Sequence, residues 1–338
     1  MDSLFRIAID TMSGDEGLQA AVPAAIMSLK QYDDIVLILV GDESQLRAEL
    51  KKHKQESNER IIVKHSTQVV TMDEKPASAL RGKKDSSMRV AINLVKSGDA
   101  DAIVSAGNTG ALMATGRFVF KTLPGIDRPA ICTAIPAAKG HTYMLDLGAN
   151  IDSSAEHLYQ FAVMGSELVK AIDGKDNPKI GLLNIGQEDL KGNEQVKAAH
   201  ELLQKGGFNY IGFVEGDDIF HGDVDVVVCD GFVGNVALKA SEGLAKMLSN
   251  ELKSGYTKNI FTKIAALVSL PVLNAFRKRF DPRRYNGASF LGLKEIVIKS
   301  HGSADSLSFA NAIGIARKAV VEKVPEHIEQ YLQEHLVD

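Results

Sequence analysis

Residues 224–235, VDVVVCDGFVGN, contain the pattern that decides the fold. The run that ends at Cys229 is apolar except for Asp225, and such runs are typical of strands that are covered on both faces. Asp230 and Gly231 then form a turn, and the residues that follow repeat apolar positions with the period of a helix. This stretch therefore predicts a strand, a short glycine turn and a helix in succession.

The same succession recurs along the rest of the chain. A helix-period stretch at 157–169, for example, follows another apolar run. Repeated strand–helix units predict an α/β fold, with a mostly parallel sheet and helices on both faces. We predict one domain over residues 1–338. The predicted strands are residues 5–10, 35–40, 61–63, 102–105, 131–135, 143–147, 180–185, 210–214, 224–229 and 296–298.

The composition is typical of a globular protein. Of the 338 residues, 45% are hydrophobic and 24% are charged. A formal net charge of -4 gives no reason to expect a nucleic-acid partner. The two cysteines, Cys132 and Cys229, lie inside apolar runs, which fits a reducing cytoplasm and not a disulfide framework. The first residues also lack the pattern of a signal peptide.

One segment departs from the strand–helix pattern. Residues 255–284 contain an apolar stretch that Pro271 interrupts. We predict a helical hairpin, inserted at about residues 250–285 and kinked or divided at Pro271. Basic residues flank its apolar part: Lys258, Lys263, Arg277, Lys278, Arg279, Arg283 and Arg284.

Small polar turns that contain glycine or asparagine follow several predicted strands. Ligands of open α/β sheets bind at the carboxyl ends of the strands, where glycine lets a backbone approach closely and helix N-termini offer free N–H groups. We therefore expect an anion-binding cleft along one edge of the sheet, although any single turn could simply cap a helix. The turns are residues 10–15, 105–110, 146–150, 184–186, 230–235 and 300–303.

Several common catalytic motifs are absent from the sequence. It has no dinucleotide fingerprint of the form G-x-G-x-x-G, no P-loop and no G-x-S-x-G nucleophile turn. No His, Cys and Asp residues recur with metal-ligand spacing. We therefore expect neither a metal site nor a cofactor.

Four side chains near the turns have both a functional and a structural interpretation. Lys191 could hold a phosphate or lie in solvent, and Asn235 could donate to an oxyanion or cap its helix. His301 could be a general base, a phosphate ligand or a structural histidine. Cys229 could be a nucleophile, but its apolar surroundings favour a buried strand residue.

The ordered set of motifs resembles that of phosphate acyltransferases of the PlsX type over nearly the whole chain. Each motif alone is weak, whereas the set in this order is specific. One departure is the first turn, where the family usually has Asp-Ala-Met-Gly-Gly-Asp and this chain has Thr11 and Ser13 at the variable places. The matching stretches are residues 83–88, 104–112, 145–150, 191–194, 230–235 and 299–305.

The resemblance implies a fold and an activity. The fold is a three-layer α/β/α sandwich similar to phosphotransacetylases and isocitrate dehydrogenase-like proteins. The activity is transfer of a fatty acyl group from acyl carrier protein to inorganic phosphate, which gives an acyl phosphate for phosphatidic acid and phospholipid synthesis. It also implies a cytoplasmic homodimer that associates peripherally with the membrane.

From the resemblance and the turns we derive a hypothesis for the site. Lys191 binds phosphate or the oxyanion, and Asn235 orients the thioester carbonyl. The remaining residues shape the phosphate and pantetheine pocket. These substrate-binding residues are Asp10, Gly14, Asp15, Asn108, Thr109, Gly110, Asp146, Gly148, Asn150, His301 and Gly302.

Two alternatives of other classes remain open at this point. One is an NAD(P)-dependent decarboxylating dehydrogenase of similar fold, and the other is a non-enzymatic scaffold at the membrane. The hairpin likewise has three interpretations. Segment 255–284 could contact an anionic membrane, dock the acidic carrier protein, or pack at a dimer interface.

Overall fold

The structure, a computed structural model, describes residues 4–335, and for residues 277–280 and 282 it describes the backbone alone. The strands are β1 Phe5–Asp10, β2 Ile35–Gly41, β3 Ile61–His65, β4 Ala102–Ser105, β5 Ala130–Ala137, β6 Gly140–Leu145, β7 Ile180–Leu183, β8 Tyr210–Val214, β9 Val226–Val228, β10 Ala288–Leu291 and β11 Ile296–Lys299. The α-helices are α1 Leu18–Gln31, α2 Glu43–Lys52, α3 Pro76–Gly82, α4 Ser87–Lys96, α5 Thr109–Phe120, α6 Ala155–Asp173, α7 Glu194–Lys205, α8 Gly231–Thr257, α9 Ile260–Phe280, α10 Ser306–Val321 and α11 Val324–His335.

All these strands belong to one sheet, in the order β3-β2-β1-β4-β11-β10-β5-β6-β9-β7-β8. The strands from β3 to β11 are parallel to one another, and so are the strands from β6 to β8. Between these two halves, the pairings of β11 with β10, β10 with β5, and β5 with β6 are antiparallel. The predicted mostly parallel sheet is confirmed, but its two halves run in opposite directions.

Helices cover both faces of this sheet, which gives the predicted three layers. Met88 and Ile92 of α4 and Leu112 of α5 are buried against one face. On the other face, Phe309 of α10 packs over the first half and Phe161 of α6 packs over the second half. Burial of large apolar side chains on two faces explains why the strand runs are almost wholly apolar.

The predicted strands are present, and the structure adds one more. The antiparallel strand β10 lies between Gly287 and Gly292, both with positive φ, and Ser289 interrupts its apolar residues, so it forms no continuous apolar run. The last predicted strand, 296–298, extends by one residue to Lys299.

The predicted helical hairpin consists of α8 and α9, but Pro271 does not divide it. The chain reverses at Lys258 and Asn259, and the Asn259 side chain caps α9 by accepting a hydrogen bond from the Thr262 N–H at 3.0 Å. Pro271 lies inside α9. The hairpin thus begins at Gly231, earlier than the predicted position near residue 250. The assignment of residues 1–338 to one domain stays a prediction.

In the described part of the chain, no single helix is long and apolar enough to cross a membrane. Helix α8 and residues 260–276 of α9 are long and apolar enough only when the two are taken together, and the chain bends by 119° between them.

Candidate active site

The glycine turns form two groups and not one. The turns after β1, β4 and β11, three adjacent strands, form the first group. The turns after β6, β9 and β7, also adjacent, form the second group. Because β5 and β6 are antiparallel, the strands of the second half point the other way. The expectation that all the turns share one edge of the sheet is therefore wrong.

The two groups nevertheless face the same side of the sheet. Ala8, Val297 and Met144 belong to one core cluster. Side chains alternate along a strand, so Asp10 and Lys299, two positions further on, point to that same face. Leu147, in the turn after β6, belongs to the same cluster. Three strand spacings separate β11 from β6, or about 14 Å. Helix α8 runs over this face, since Ala237 and Leu238 pack against the same cluster.

In the first group, the turns after β1 and β11 touch. Gly14 has a φ of +89°, and a Cβ atom added to it would lie 2.9 Å from the Ala106 Cβ and 3.0 Å from the Gly302 carbonyl oxygen. The Asp15 N–H donates to that oxygen at 2.8 Å. Ser13, which stands where the family usually has a glycine, has no positive φ and so carries no left-handed backbone strain.

Asp10 is fully buried beneath these turns. Its two carboxylate oxygens accept hydrogen bonds from the hydroxyls of Ser87 and Ser105, both at 2.6 Å. The Ser105 hydroxyl in turn accepts from the Gly107 N–H at 3.1 Å. Asp10 therefore acts on the site through the turns that it holds in place.

Asn108 is the N-cap of α5. Its amide oxygen accepts from the Ala111 N–H at 3.0 Å, and its amide nitrogen donates to the carbonyls of Met72 at 2.8 Å and Glu74 at 2.9 Å. These contacts use its polar atoms to fix the turn against the preceding loop. Thr109 and Gly110, the first residues of α5, remain exposed.

The turn after β11 contains Lys299 and His301. Burial lowers the pKa of Lys299 to about 8, and its ammonium donates to the carbonyl oxygens of Ala106, at 3.2 Å, and Ser300. Partial burial, together with Lys239 and Lys299, lowers the pKa of His301. The Ser303 N–H donates to His301 Nδ1 at 3.2 Å, so a neutral His301 carries its proton on Nε2.

Asp146 holds the turn at the centre of the second group. It is fully buried, and it accepts from the N–H groups of Ile131 at 2.9 Å, Ala149 at 3.0 Å and Asn150 at 2.7 Å. The Asn150 side chain donates to it as well, at 2.9 Å. Burial raises the pKa of Asp146, against the lowering effect of these hydrogen bonds.

Helix α8 begins directly on that turn. Added Cβ atoms on Gly231 and Gly234 would overlap the carbonyl oxygens of Asn150 and Asp146, respectively. Glycine at both positions thus lets α8 approach the turn backbone. This approach places Asn235 beside Gly148. A Cβ atom added to Gly148 would lie 3.5 Å from the Asn235 Oδ1.

Lys191 lies in the loop that follows β7, and β7 is the neighbour of β9 in the sheet. Its side chain is exposed. The Asn184 side chain donates to the Lys191 carbonyl oxygen at 3.3 Å, which anchors the loop. Lys191 and Asn235 thus belong to the same group of turns. Over residues 4–335 no direct hydrogen bond joins their side chains.

The remaining titratable candidates do not form a separate site. Burial raises the pKa of Cys229 well above its ordinary value, and its Sγ contacts the Asp146 carbonyl oxygen at 3.5 Å, as a buried strand residue does. Within residues 4–335, no three His, Cys, Asp or Glu side chains are grouped as metal ligands.

Comparisons with known proteins agree with this fold and these motifs. The family model described as "Fatty acid synthesis protein" matches residues 5–327. The chain belongs to that family. A protein of Methylococcus capsulatus named "Phosphate acyltransferase" is 62% identical over 322 residues, which cover 95% of each chain. A protein of the same name from Hydrogenovibrio crunogenus is 57% identical over 324 residues, 96% of each chain.

A solved structure supports the fold. A phosphotransacetylase from Streptococcus pyogenes superposes with a TM-score of 0.63 at 19% identity, and the match covers 94% of each chain. At this identity the similarity establishes the architecture alone, which agrees with the expected phosphotransacetylase-like sandwich.

Sequence analysis missed two polar residues of the first group. Ser13 was noted only as a departure from the family pattern, yet its hydroxyl is buried and has no hydrogen-bond partner. Lys299 was quoted within a motif but given no role. A lysine at the end of the apolar run 296–298 was the available signal, because lysine is almost never fully buried without a reason.

Proposed function

We propose that this protein transfers a fatty acyl group from acyl carrier protein to inorganic phosphate and so makes an acyl phosphate for phospholipid synthesis. The family and the names of its close relatives support acyl transfer to phosphate. The observation that supports the mechanism is the pair of glycine-turn groups, which face one side of the sheet around α8.

The reaction requires little acid–base assistance. Phosphate esters lose their second proton with a pKa of about 6, and inorganic phosphate loses its second proton close to neutral pH, so a substantial fraction of it is dianionic there. One phosphate oxygen attacks the thioester carbon, the carbon–sulfur bond breaks, and the carrier leaves as a thiolate, which has an ordinary pKa of about 8.5. The protein must hold the two anionic partners together and stabilise the oxyanion that forms at the carbonyl oxygen.

The second group suits the acyl donor. In our proposal, Asn235 donates its side-chain N–H to the thioester oxygen, and Lys191 supplies positive charge to the oxyanion. Contact with Gly148 fixes the base of Asn235. The exposed Lys191 side chain can reach a bound substrate from the neighbouring loop.

His301 suits the role of a donor better than that of a base. Its lowered pKa keeps the ring neutral near pH 7, and its Nδ1 already accepts from Ser303. The remaining ring nitrogen, Nε2, then carries a proton that it can donate to a phosphate oxygen.

The hairpin supports two further proposals, a homodimer and peripheral membrane contact. Phe261, Ile264, Val268 and Val272 lie on one stripe of α9, and Phe261 is 80% exposed. Apolar stripes of this kind mark protein or membrane contacts. Lys258 and Lys263 near the tip could meet anionic lipid or the acidic carrier protein. Arg277, Lys278 and Arg279, which also belong to the basic flank of the predicted hairpin, have side chains that lie outside the part of the chain that the structure describes.

Arg283 contributes less to such a basic surface than its charge suggests. It forms ion pairs with Asp281 at 2.7 Å and with Asp305 at 3.2 Å. These carboxylates raise the pKa of Arg283 and balance its charge. We therefore propose the tip of the hairpin, and not its base, as the part that contacts a cytoplasmic membrane surface.

The deciding experiment measures release of the carrier thiol from acyl–acyl carrier protein with and without inorganic phosphate. We expect thiol release that depends on phosphate, together with one acyl phosphate for each thiol released. The proposal would be refuted if thiol release did not depend on phosphate, or if no thiol were released. The dehydrogenase and scaffold alternatives receive no support from the family or its relatives.

A further inference from the structure

Three turns, one lysine and one serine converge at the first group of turns. Lys299 is 8% exposed and Ser13 is 4% exposed. The Lys299 ammonium donates to the Ala106 carbonyl oxygen at 3.2 Å, and the Ser13 hydroxyl lies 2.9 Å from the place where a Cβ atom on Gly107 would stand. The two polar groups thus contact neighbouring residues of the same turn.

We propose that this cluster is the binding subsite for the acceptor phosphate, with Lys299 and Ser13 as its ligands. The assignment deepens the proposed function and rests on it, because it places the phosphate at the first group and leaves the second group to the acyl donor.

The charge on Lys299 favours an anion there. Within residues 4–335 no carboxylate lies within 4.0 Å of its ammonium, and the contacts it makes are with neutral carbonyl oxygens. Asp10, two strands away on β1, already accepts from two serine hydroxyls. A buried cation without an ion pair is costly, and a bound phosphate would supply the missing negative charge.

Ser13 gives the second, independent indication. Buried hydroxyls nearly always have a hydrogen-bond partner, and this one has none. Its position against Gly107 directs it to the turn that leads into α5, whose first residues, Thr109 and Gly110, are exposed. A phosphate oxygen at this place would accept from the Ser13 hydroxyl and from N–H groups at the start of α5.

Glycine lets the three turns pack closely around this cluster. A Cβ atom would lie 2.9 Å from the Ala106 Cβ if added to Gly14, 2.7 Å from the Met88 Cε if added to Gly107, and 3.2 Å from the Met72 Cε if added to Gly302. Lys239, four residues after Asn235 on α8, is close enough to affect the pKa of both Lys299 and His301. The subsite is therefore linked through one turn of α8 to the residue that we propose for the thioester.

Three variants test the assignment: Lys299→Met, Ser13→Ala and, as a control, Ser66→Ala. Ser66 is likewise a buried serine whose hydroxyl has no partner, but it lies in the loop after β3. Methionine keeps the length of the lysine side chain and removes a buried charge, so the fold should tolerate it. The readouts are the KM for phosphate, the KM for acyl carrier protein, and the rise in melting temperature with inorganic phosphate against chloride at equal ionic strength.

We expect Lys299→Met to raise the KM for phosphate at least about tenfold and Ser13→Ala to raise it about three- to tenfold, with the KM for the carrier unchanged. Both variants should also lose most of the thermal stabilisation by phosphate. Ser66→Ala should match wild type. Suppose that thiol release by the wild-type protein depends on phosphate, but that both variants have the wild-type KM for phosphate. The proposed subsite would then be wrong, and the proposed function would stand.

The converse result is equally informative. If phosphate stabilised wild type and not the two variants, but no thiol were released, the subsite would be supported and the proposed function would fail. An unfolded Lys299→Met variant would leave Ser13→Ala to decide, because loss of one hydroxyl from a loop is a small change.

Discussion

Gly14 and Gly302 come so close that a Cβ atom on Gly14 would stand 3.0 Å from the Gly302 carbonyl oxygen. The two residues belong to turns after β1 and β11, which are separated in the sheet by β4 alone. Their contact joins the three turns of the first group into one surface. The proposed phosphate subsite depends on this contact.

Gly14→Ala should damage that surface. The φ of +89° strains an alanine, and its methyl group would push Gly302 away. We expect the KM for phosphate to rise at least about tenfold, the loss typical of one hydrogen bond to a charged group. Gly140→Ala is the matched control, because Gly140 has a φ of +83° and open space around it. Equal phosphate KM values in the two variants would contradict the role of the contact.

A second prediction concerns the pH dependence of phosphate binding. Lys299, with a pKa of about 8, faces Asp10 and Asp15, which favour its charged form, and Lys239, which opposes it; His301 lies beside it and stays neutral in this range. Phosphate itself is already a dianion there. As the pH rises through about 8, free Lys299 loses its proton, so kcat/KM for phosphate should fall about tenfold per pH unit.

Initial rates from pH 6.5 to 10 at limiting phosphate test this fall. Lys299→Arg keeps its charge over that range and should abolish the decline if the variant binds phosphate at all. A wild-type profile that stays flat to pH 10 would show that the charge on Lys299 does not support binding.

The third prediction concerns the proposed catalytic pair. Lys191→Ala and Asn235→Ala should each lower kcat about 100-fold or more, because each removes a donor to the developing oxyanion. Lys205→Ala in α7 and Asn250→Ala, further along the helix that carries Asn235, are matched controls at exposed positions. Thiol release near the wild-type rate in a folded Asn235→Ala protein would refute its role.

The sequence predicted the strands well but not their directions. An apolar run such as 180–185 shows that a strand is buried on both faces, and this property does not depend on which way the strand runs. Direction is set by tertiary pairing, here by the β5–β6 hairpin. For the same reason, the turns after β1 and β6 looked alike in the sequence although they lie on opposite edges.

The site was also predictable only in part. Glycine and asparagine marked the segments that form the two groups of turns, but the pattern could not separate side chains that hold a turn from those that are free to face a ligand. Asp10 and Asp146 proved to be fully buried, with their oxygens accepting bonds from the turns. Burial of Ser13 arises from turns that are distant in sequence, so no local pattern could show it, and for Lys299 the local signal was its place at the end of an apolar run.

A fourth prediction compares two glycines of one helix. Gly234→Ala would place a methyl group on the Asp146 carbonyl oxygen and push α8 away from the turn. We expect a loss of about 1–3 kcal/mol in the free energy of unfolding and a large loss of activity, because Asn235 moves with the helix. Gly243→Ala, where nothing lies within 4 Å, should instead stabilise the protein by about 0.5–1 kcal/mol. Chemical denaturation measures both, and a Gly234→Ala variant as stable and active as wild type would contradict the packing.

The last prediction tests the hairpin. Ile264→Glu with Val268→Glu places two charges on the exposed apolar stripe of α9. Burying a carboxylate in the acyl region of a membrane is unfavourable, so flotation with anionic liposomes should fall steeply if this helix contacts lipid. Ile62→Glu, at an exposed apolar position of β3, controls for added charge elsewhere.

Light scattering on the same samples separates the two proposals. A variant that still dimerises but no longer floats identifies α9 as the lipid contact, whereas one that becomes monomeric while it still floats assigns these side chains to the dimer. If the double variant floated and dimerised like wild type, neither proposal for this part of α9 would survive.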